Sequence, residues 1–232
     1  MPSGASSSIC DRAAPRAGLR PAVFRAGPCR TKISLMVLDW VLVTAAYFIG
    51  SVPFAYLVPR AFAGIDVRMA GSRNVGAANV LRTTRVGVAV TVVALDIAKG
   101  ASAVGLAALL GADPGIQAAA AAAAIVGHVY PFWLKLHGGK GVAVACGAFT
   151  MLAPAVVALC VAVFAAAVWM SGYISLGSIV ATTLLAPATL LFDAELPITV
   201  SAAGVAALIL FRHRANIARI ASGTERRIGQ KA

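Results

Sequence analysis

The chain has 232 residues, of which 60% are hydrophobic and only 12% charged, with a mean hydropathy of +0.87. A soluble domain is about half apolar and a quarter charged, so this composition excludes an ordinary soluble enzyme and a disordered chain. The net charge of +12 would suggest nucleic acid in a soluble protein, but here the basic residues flank long apolar runs. Membrane lipids and an anionic substrate are therefore the expected partners, and nucleic acid is not.

Residues 1–34 stand apart. They hold six Lys/Arg and one acid, Asp11, are rich in Ser, Pro and Ala, and contain no apolar run. They read as a disordered basic arm without a signal-peptide core. Met36 lies directly before the first apolar run, so a mis-assigned start is expected, with the membrane domain occupying 35–232.

Seven apolar spans follow, at about 36–58, 86–111, 116–134, 139–153, 155–171, 174–191 and 196–211. They predict an all-α polytopic integral membrane protein with about seven transmembrane helices. Pro154 and Gly172 punctuate runs that would otherwise merge. The fourth and fifth spans are short for a crossing, and a re-entrant hairpin there is the alternative.

Loop charges give an orientation. Arg60, Arg68, Arg73, Arg82 and Arg85 lie before the second span, Lys135 and Lys140 before the fourth, and Arg212, Arg214, Arg219, Arg226, Arg227 and Lys231 after the seventh. The intervening turns carry Asp113, no charge, or Asp193 and Glu195. The positive-inside rule makes the basic segments and the C-terminus cytoplasmic and puts residue 36 outside. The basic arm conflicts with that placement, which fits its absence from the mature chain or its translocation regardless of charge.

Polar residues gather in four clusters on the predicted cytoplasmic side. The first, residues 64–82 (GIDVRMAGSRNVGAANVLR), combines Gly71, Ser72, Asn74, Gly76, Asn79 and Arg82. Glycines let backbone N–H groups approach an anion, Ser and Asn add neutral hydrogen bonds, and Arg adds a forked charge suited to phosphate. A lipid-anchoring juxtamembrane loop would not need so many small polar residues. The second, residues 134–143 (LKLHGGKGVA), places Gly138, Gly139 and Gly141 around Lys140. It fails the nucleotide pattern GxxxxGK[ST], because Leu134 and Gly141 stand at the first-Gly and Ser/Thr positions. Anion binding by glycine amides and a lysine remains, beside the plainer reading of a positive-inside turn.

The third cluster is Ser175 to Ser178 (SLGS), which alone reads as helix serines bonded to their own backbone. In the fourth, residues 211–225 (FRHRANIARIASGTE), His213 and Asn216 are three apart and share a helix face, with an imidazole suited to proton transfer near neutral pH. A basic tail on anionic lipid explains the arginines but not that pair. Asp96 and Lys99 are also three apart, inside the second span, where charges are costly and either pair or serve a site.

Some chemistry is unsupported. No CxxC is present and the three histidines are far apart, so neither metal nor other cofactor is expected; Cys146 and Cys160, inside apolar runs, read as small hydrophobes. Trp133, Val142 and Ala218 stand five residues after the histidines, which excludes an HxxxxD acyltransferase motif, and no GxSxG elbow occurs.

The clusters, in this order, resemble the bacterial membrane glycerol-3-phosphate acyltransferases that use acyl-phosphate as donor. The resemblance rests on YFIGSVPFAYLV, GSRNVGAANVLR, LDIAKG, GHVYPFWLKLHGGKGVA, SLGSI and HRANIARIASGTE, covering about residues 45–225. It implies a seven-helix enzyme of the bacterial inner membrane with its site facing the cytoplasm. That enzyme would transfer a fatty acyl group from acyl-phosphate to the 1-hydroxyl of glycerol 3-phosphate, giving lysophosphatidic acid and phosphate. Ser72 and Arg82 would hold polar substrate groups, with Asn74, Gly76 and Asn79 shaping a phosphate cradle. Lys140 with Gly138, Gly139 and Gly141 would bind phosphate, Ser178, His213 and Asn216 would line the acceptor side, and Glu225 would brace the tail. Two positions depart from the family pattern. Arg73 stands where Gly is usual, and Ala78 replaces a Thr whose hydroxyl would contribute about 0.5–1.5 kcal/mol as a hydrogen bond. A small transporter of an anionic metabolite is the rival reading. The polar groups on one side and the lack of an internal repeat favour the enzyme.

Overall fold

The structure is a computed structural model that describes residues 32–230, with side chains from residue 36; the expected arm, 1–34, lies almost wholly outside the described residues. The chain divides at residue 41, and residues 42–232 form one compact unit. No strand occurs among the described residues.

The helices are α1 (Lys32–Ser51), α2 (Phe54–Ala63), α3 (Ala77–Thr83), α4 (Val86–Leu109), α5 (Pro114–Val129), α6 (Val142–Leu152), α7 (Pro154–Ser171), α8 (Ile174–Leu191), α9 (Leu196–Arg212) and α10 (Arg214–Ala221). Every expected span is helical. Five stretches are long and apolar enough to cross a membrane, and α9 with α10, bent by 55°, makes a sixth if taken as one. The expectation that both the fourth and fifth spans are short needs refinement. At 18 residues α7 can cross, whereas α6 has 11.

Local chemistry sets the boundaries. Pro53 disfavours helical backbone at Val52 and so separates α1 from α2. Asp113 caps α5, its Oδ1 accepting the Ile116 N–H at 3.0 Å, with Pro114 in the first turn. Gly172, at φ +74°, ends α7 in the left-handed conformation that glycine adopts without cost.

Reciprocal glycines hold the helices together. A Cβ on Gly100 of α4 would lie 2.2 Å from Val144 O, and one on Gly147 of α6 would lie 1.9 Å from Ile97 O. Backbones this close leave room only for glycine, the packing that membrane helices use when burial from water offers no drive. Gly50 and Gly127 lock α1 to α5 in the same way. The outer surface is apolar instead of polar, with Trp169 87% and Leu109 86% exposed, as lipid-facing side chains are. By chain order α4, α6, α8 and α10 begin, and α5, α7 and α9 end, on one side of the bundle, where the four polar clusters converge.

Candidate active site

A cavity of about 480 Å³ opens among α3, α4, α6, α7, α8 and α9. Its mouth holds Arg82, Lys140, His213, Asn216 and Glu225; deeper it is lined by Val157, Phe164, Ala181 and Leu185. A polar, cationic entrance on an apolar groove suits a ligand with an anionic head and a hydrocarbon tail.

The first loop is built around Asn79. Its side chain is buried, and Nδ2 donates to Val67 O, Ala70 O and Asn74 O at 3.0–3.1 Å while Oδ1 accepts the Ser72 N–H at 2.8 Å. One amide thus satisfies a loop with no regular structure of its own. The arrangement sets Asn74, Gly76, Ala78 and Arg82 against the cavity. Burial draws the Arg82 guanidinium below its ordinary pKa, an effect that Glu225 opposes. Ser72 is exposed and does not line the cavity; its part here is the backbone bond to Asn79. Arg73, the residue in place of the family's Gly, sits at φ +58°.

The second loop is held by backbone. The Gly138 N–H donates to Val129 O and the Gly139 N–H to His128 O, both at 3.1 Å, closing the end of α5. This corrects the expectation for those two glycines, because their amides are engaged by α5 and are not available to an anion. Both line a small separate recess instead of the main cavity. Their lack of a side chain is still required, since a Cβ on Gly139 would stand 2.2 Å from His128 Nε2 and 2.7 Å from Val75 O. Arg212 Nη2 donates to Gly138 O at 3.3 Å from the other side. The loop delivers Lys140 and Gly141 to the cavity at the N-terminus of α6, which no side chain caps.

Lys140 Nζ donates to Asn216 Oδ1, and Asn216 Nδ2 donates to Glu225 Oε1 at 2.8 Å. Glu225 also accepts from Ser175 Oγ at 2.8 Å and Arg219 Nε at 2.7 Å, tying α8, α10 and the tail together. Burial pushes the Glu225 carboxyl up, but those three donors outweigh it and leave the pKa below the ordinary range. Burial also pushes the Lys140 pKa down to about 8; Glu225 opposes the shift, and Arg219, Arg82 and Arg212 add to it. His213 Nδ1 lies 2.8 Å from Ile209 O. A carbonyl only accepts, so Nδ1 carries the proton and Nε2 is left as the acceptor. Ser178 lines the cavity while its hydroxyl bonds back to Ile174 O at 2.9 Å.

The structure therefore brings Asn74, Gly76, Arg82, Lys140, Gly141, Ser178, His213 and Asn216 to one cavity and leaves Ser72, Asn79, Gly138 and Gly139 behind it. Sequence reasoning gave no site role to Ser175 or His128, which also line the cavity. Ser175 stood three residues from Ser178 in the same motif. His128 gave a weak signal, one imidazole near the end of an alanine-rich helix.

A family model for glycerol-3-phosphate acyltransferase matches residues 40–223. The chain belongs to the glycerol-3-phosphate acyltransferase family. The glycerol-3-phosphate acyltransferase of a Synechococcus strain is 41% identical over 198 residues, covering 85% of this chain and 98% of that protein. That of Halalkalibacterium halodurans is 39% identical, covering 84% and 98%. The crystal structure of PlsY, an integral membrane glycerol 3-phosphate acyltransferase, in its glycerol 3-phosphate form superposes with a TM-score of 0.79 at 33% identity, covering 83% of this chain and 96% of PlsY. Its lysophosphatidic acid form gives 0.77 at 32%. This glycerol-3-phosphate acyltransferase is thus an all-helical, multi-pass membrane enzyme.

Proposed function

We propose that the enzyme transfers a fatty acyl group from acyl-phosphate to the 1-hydroxyl of glycerol 3-phosphate, releasing lysophosphatidic acid and phosphate, at a site facing the cytoplasm of the bacterial plasma membrane. The observation that carries this reading is the meeting of Arg82, Lys140, His213 and Asn216, from separate stretches of chain, at the mouth of one cavity with an apolar interior. The PlsY forms with glycerol 3-phosphate and lysophosphatidic acid support the acceptor and product.

Both reactants would carry phosphate, and the mouth offers Arg82, Lys140 and the uncapped start of α6. The hydrocarbon tail would lie along the groove past Phe164 and Leu185. An acyl-phosphate is an activated anhydride, so no acyl-enzyme is needed and alignment supplies much of the rate. In this reading His213 Nε2 accepts the proton of the 1-hydroxyl as its oxygen bonds to the acyl carbon. The bond from that carbon to the phosphate oxygen breaks, and phosphate leaves with its charge offset by Arg82 and Lys140. Asn216 and Glu225 hold Lys140 in place.

Purified protein supplied with glycerol 3-phosphate and acyl-phosphate should release phosphate and form acylated product, and should do neither with acyl-CoA or acyl-carrier protein. Turnover with a thioester and none with acyl-phosphate would reject the donor assignment. His213→Ala should lower turnover by roughly a hundredfold or more while the protein still inserts; near-normal turnover would remove His213 from catalysis.

A further inference from the structure

A buried ionic cluster behind the glycine loop has no place in the chemistry above. Lys99 Nζ has three neighbours: it donates to Val52 O at 2.8 Å, lies 3.0 Å from His128 Nδ1, and forms an ion pair with Asp96 Oδ1 at 2.9 Å, off the hydrogen-bond direction. Lys99 and Asp96 are 4% and 2% exposed, and His128 is 9%. With the Asp96 carboxylate in contact, Lys99 is an ammonium, which has three donors and no acceptor. His128 Nδ1 must then be the unprotonated nitrogen. The other tautomer would point a proton at the ammonium, and its nearest alternative acceptor, Asp96 Oδ1, is 3.7 Å away, beyond hydrogen-bond range. The proton of the neutral ring accordingly sits on Nε2.

That nitrogen faces the glycine loop, as the 2.2 Å approach of a Cβ built on Gly139 shows. It has no hydrogen-bond partner among the described residues, and His128 stands between the two hollows, lining the small recess with Gly138 and Gly139 and the main cavity with Lys140 and Gly141. We infer that His128 is a further substrate-binding residue, presenting a neutral Nε2–H donor to an anionic oxygen of a phosphorylated substrate, with Asp96 and Lys99 as positioning residues that fix its tautomer. The donor stands where the Gly138 and Gly139 amides do not, so an imidazole N–H supplies the hydrogen bond that the loop backbone cannot. The inference rests on the acyl transfer proposed above only for which substrate brings the oxygen.

Two substitutions separate donation from packing. In His128→Gln the side-chain amide reaches the Nε2 position, whereas in His128→Asn it reaches only the Nδ1 position. With wild-type turnover on acyl-phosphate and glycerol 3-phosphate as the control, H128N should lose roughly ten- to a hundredfold in kcat/KM, and H128Q should recover to within about threefold of wild type. A rise in KM for glycerol 3-phosphate alone assigns the contacted oxygen to the acceptor's phosphate; a rise for acyl-phosphate, or a fall in kcat, assigns it to the donor. Equal losses in H128N and H128Q, or no loss in either, overturn the inference while leaving the acyl-transfer reading intact. An inactive wild type would instead defeat that reading. Independently of activity, nitrogen NMR of histidine-labelled protein in detergent should show one histidine as the Nε2–H tautomer, lost in Lys99→Met and shifted by glycerol 3-phosphate or inorganic phosphate. A histidine protonated at Nδ1 in that position, or one insensitive to K99M, overturns it.

Discussion

The two loops at the mouth solve one problem in opposite ways. The loop before α3 has no regular structure, and a single buried side chain, Asn79, makes the four hydrogen bonds that fix it. The loop before α6 is fixed by its backbone, which continues the hydrogen bonding of α5 and fits only because side chains are absent at Gly138 and Gly139. One loop thus depends on a side chain being present, and the other on side chains being absent. Each delivers one cation, Arg82 or Lys140, to the same cavity.

The largest effect should come from the delivered charge itself. Lys140→Met should lower kcat/KM by about two to three orders of magnitude with no fall in thermal stability, because it removes the buried cation that the proposed reaction sets against the phosphate. The pH dependence has a definite sign. Folding lowers the Lys140 pKa from 10.5 to about 8. Between those values the unfolded chain binds more protons, so this group's contribution to stability rises with pH across that window. Over the same window the folded protein loses the charge, and the KM for glycerol 3-phosphate should climb above about pH 8. In K140M it should be high and flat there. A wild-type KM that stays flat to pH 10 would break the link between burial and phosphate binding.

Next comes the space that the second loop keeps empty. Gly139→Ala should cost about 1–3 kcal/mol of stability and displace His128 and Lys140 together, because the new methyl meets backbone as well as the imidazole. In the first loop the same change at Gly76 meets only the end of the Asn74 side chain, at 2.9 Å, which can swing away. The comparison therefore predicts a larger fall in melting temperature for G139A than for G76A, and the reverse order would refute it. Asn79→Ala should cost about 2–3 kcal/mol through orphaned loop carbonyls. Asn79→Asp should be no milder, since it keeps the acceptor but loses the donors to Val67, Ala70 and Asn74.

How much of this was legible in the sequence follows from what each feature depends on. The seven apolar runs became helices because lipid leaves the backbone no alternative, and Pro154 and Gly172 marked breaks through their own covalent geometry, whereas the break at Pro53 fell inside the first expected span. Arg82, Lys140, His213 and Asn216 were recognisable because polar groups beside apolar spans are costly without a role. The structure leaves Ser72, Gly138 and Gly139 outside the cavity, and the amides of the two glycines are already engaged. Composition shows that a loop has N–H groups, but whether those groups are free depends on carbonyls such as Val129 O and His128 O that only the fold brings near. His128 was illegible for the same cause, since its meaning comes from Lys99, 29 residues earlier.

The smallest predicted effect tests whether the first loop tolerates what the second cannot. Arg73 adopts φ +58°, a conformation that costs a non-glycine residue about 1 kcal/mol or more, yet its side chain is exposed. Arg73→Gly removes that strain and adds freedom to the unfolded chain, two effects of opposite sign. Strain is the larger, so R73G should gain about 0.5–1 kcal/mol, a rise of roughly 1–3 °C in melting temperature. An unchanged or lower melting temperature would mean that the four hydrogen bonds of Asn79 do not force the loop into this conformation. The loop would then relax around Arg73, and its dependence on Asn79 would be weaker than the contrast with the glycine loop requires.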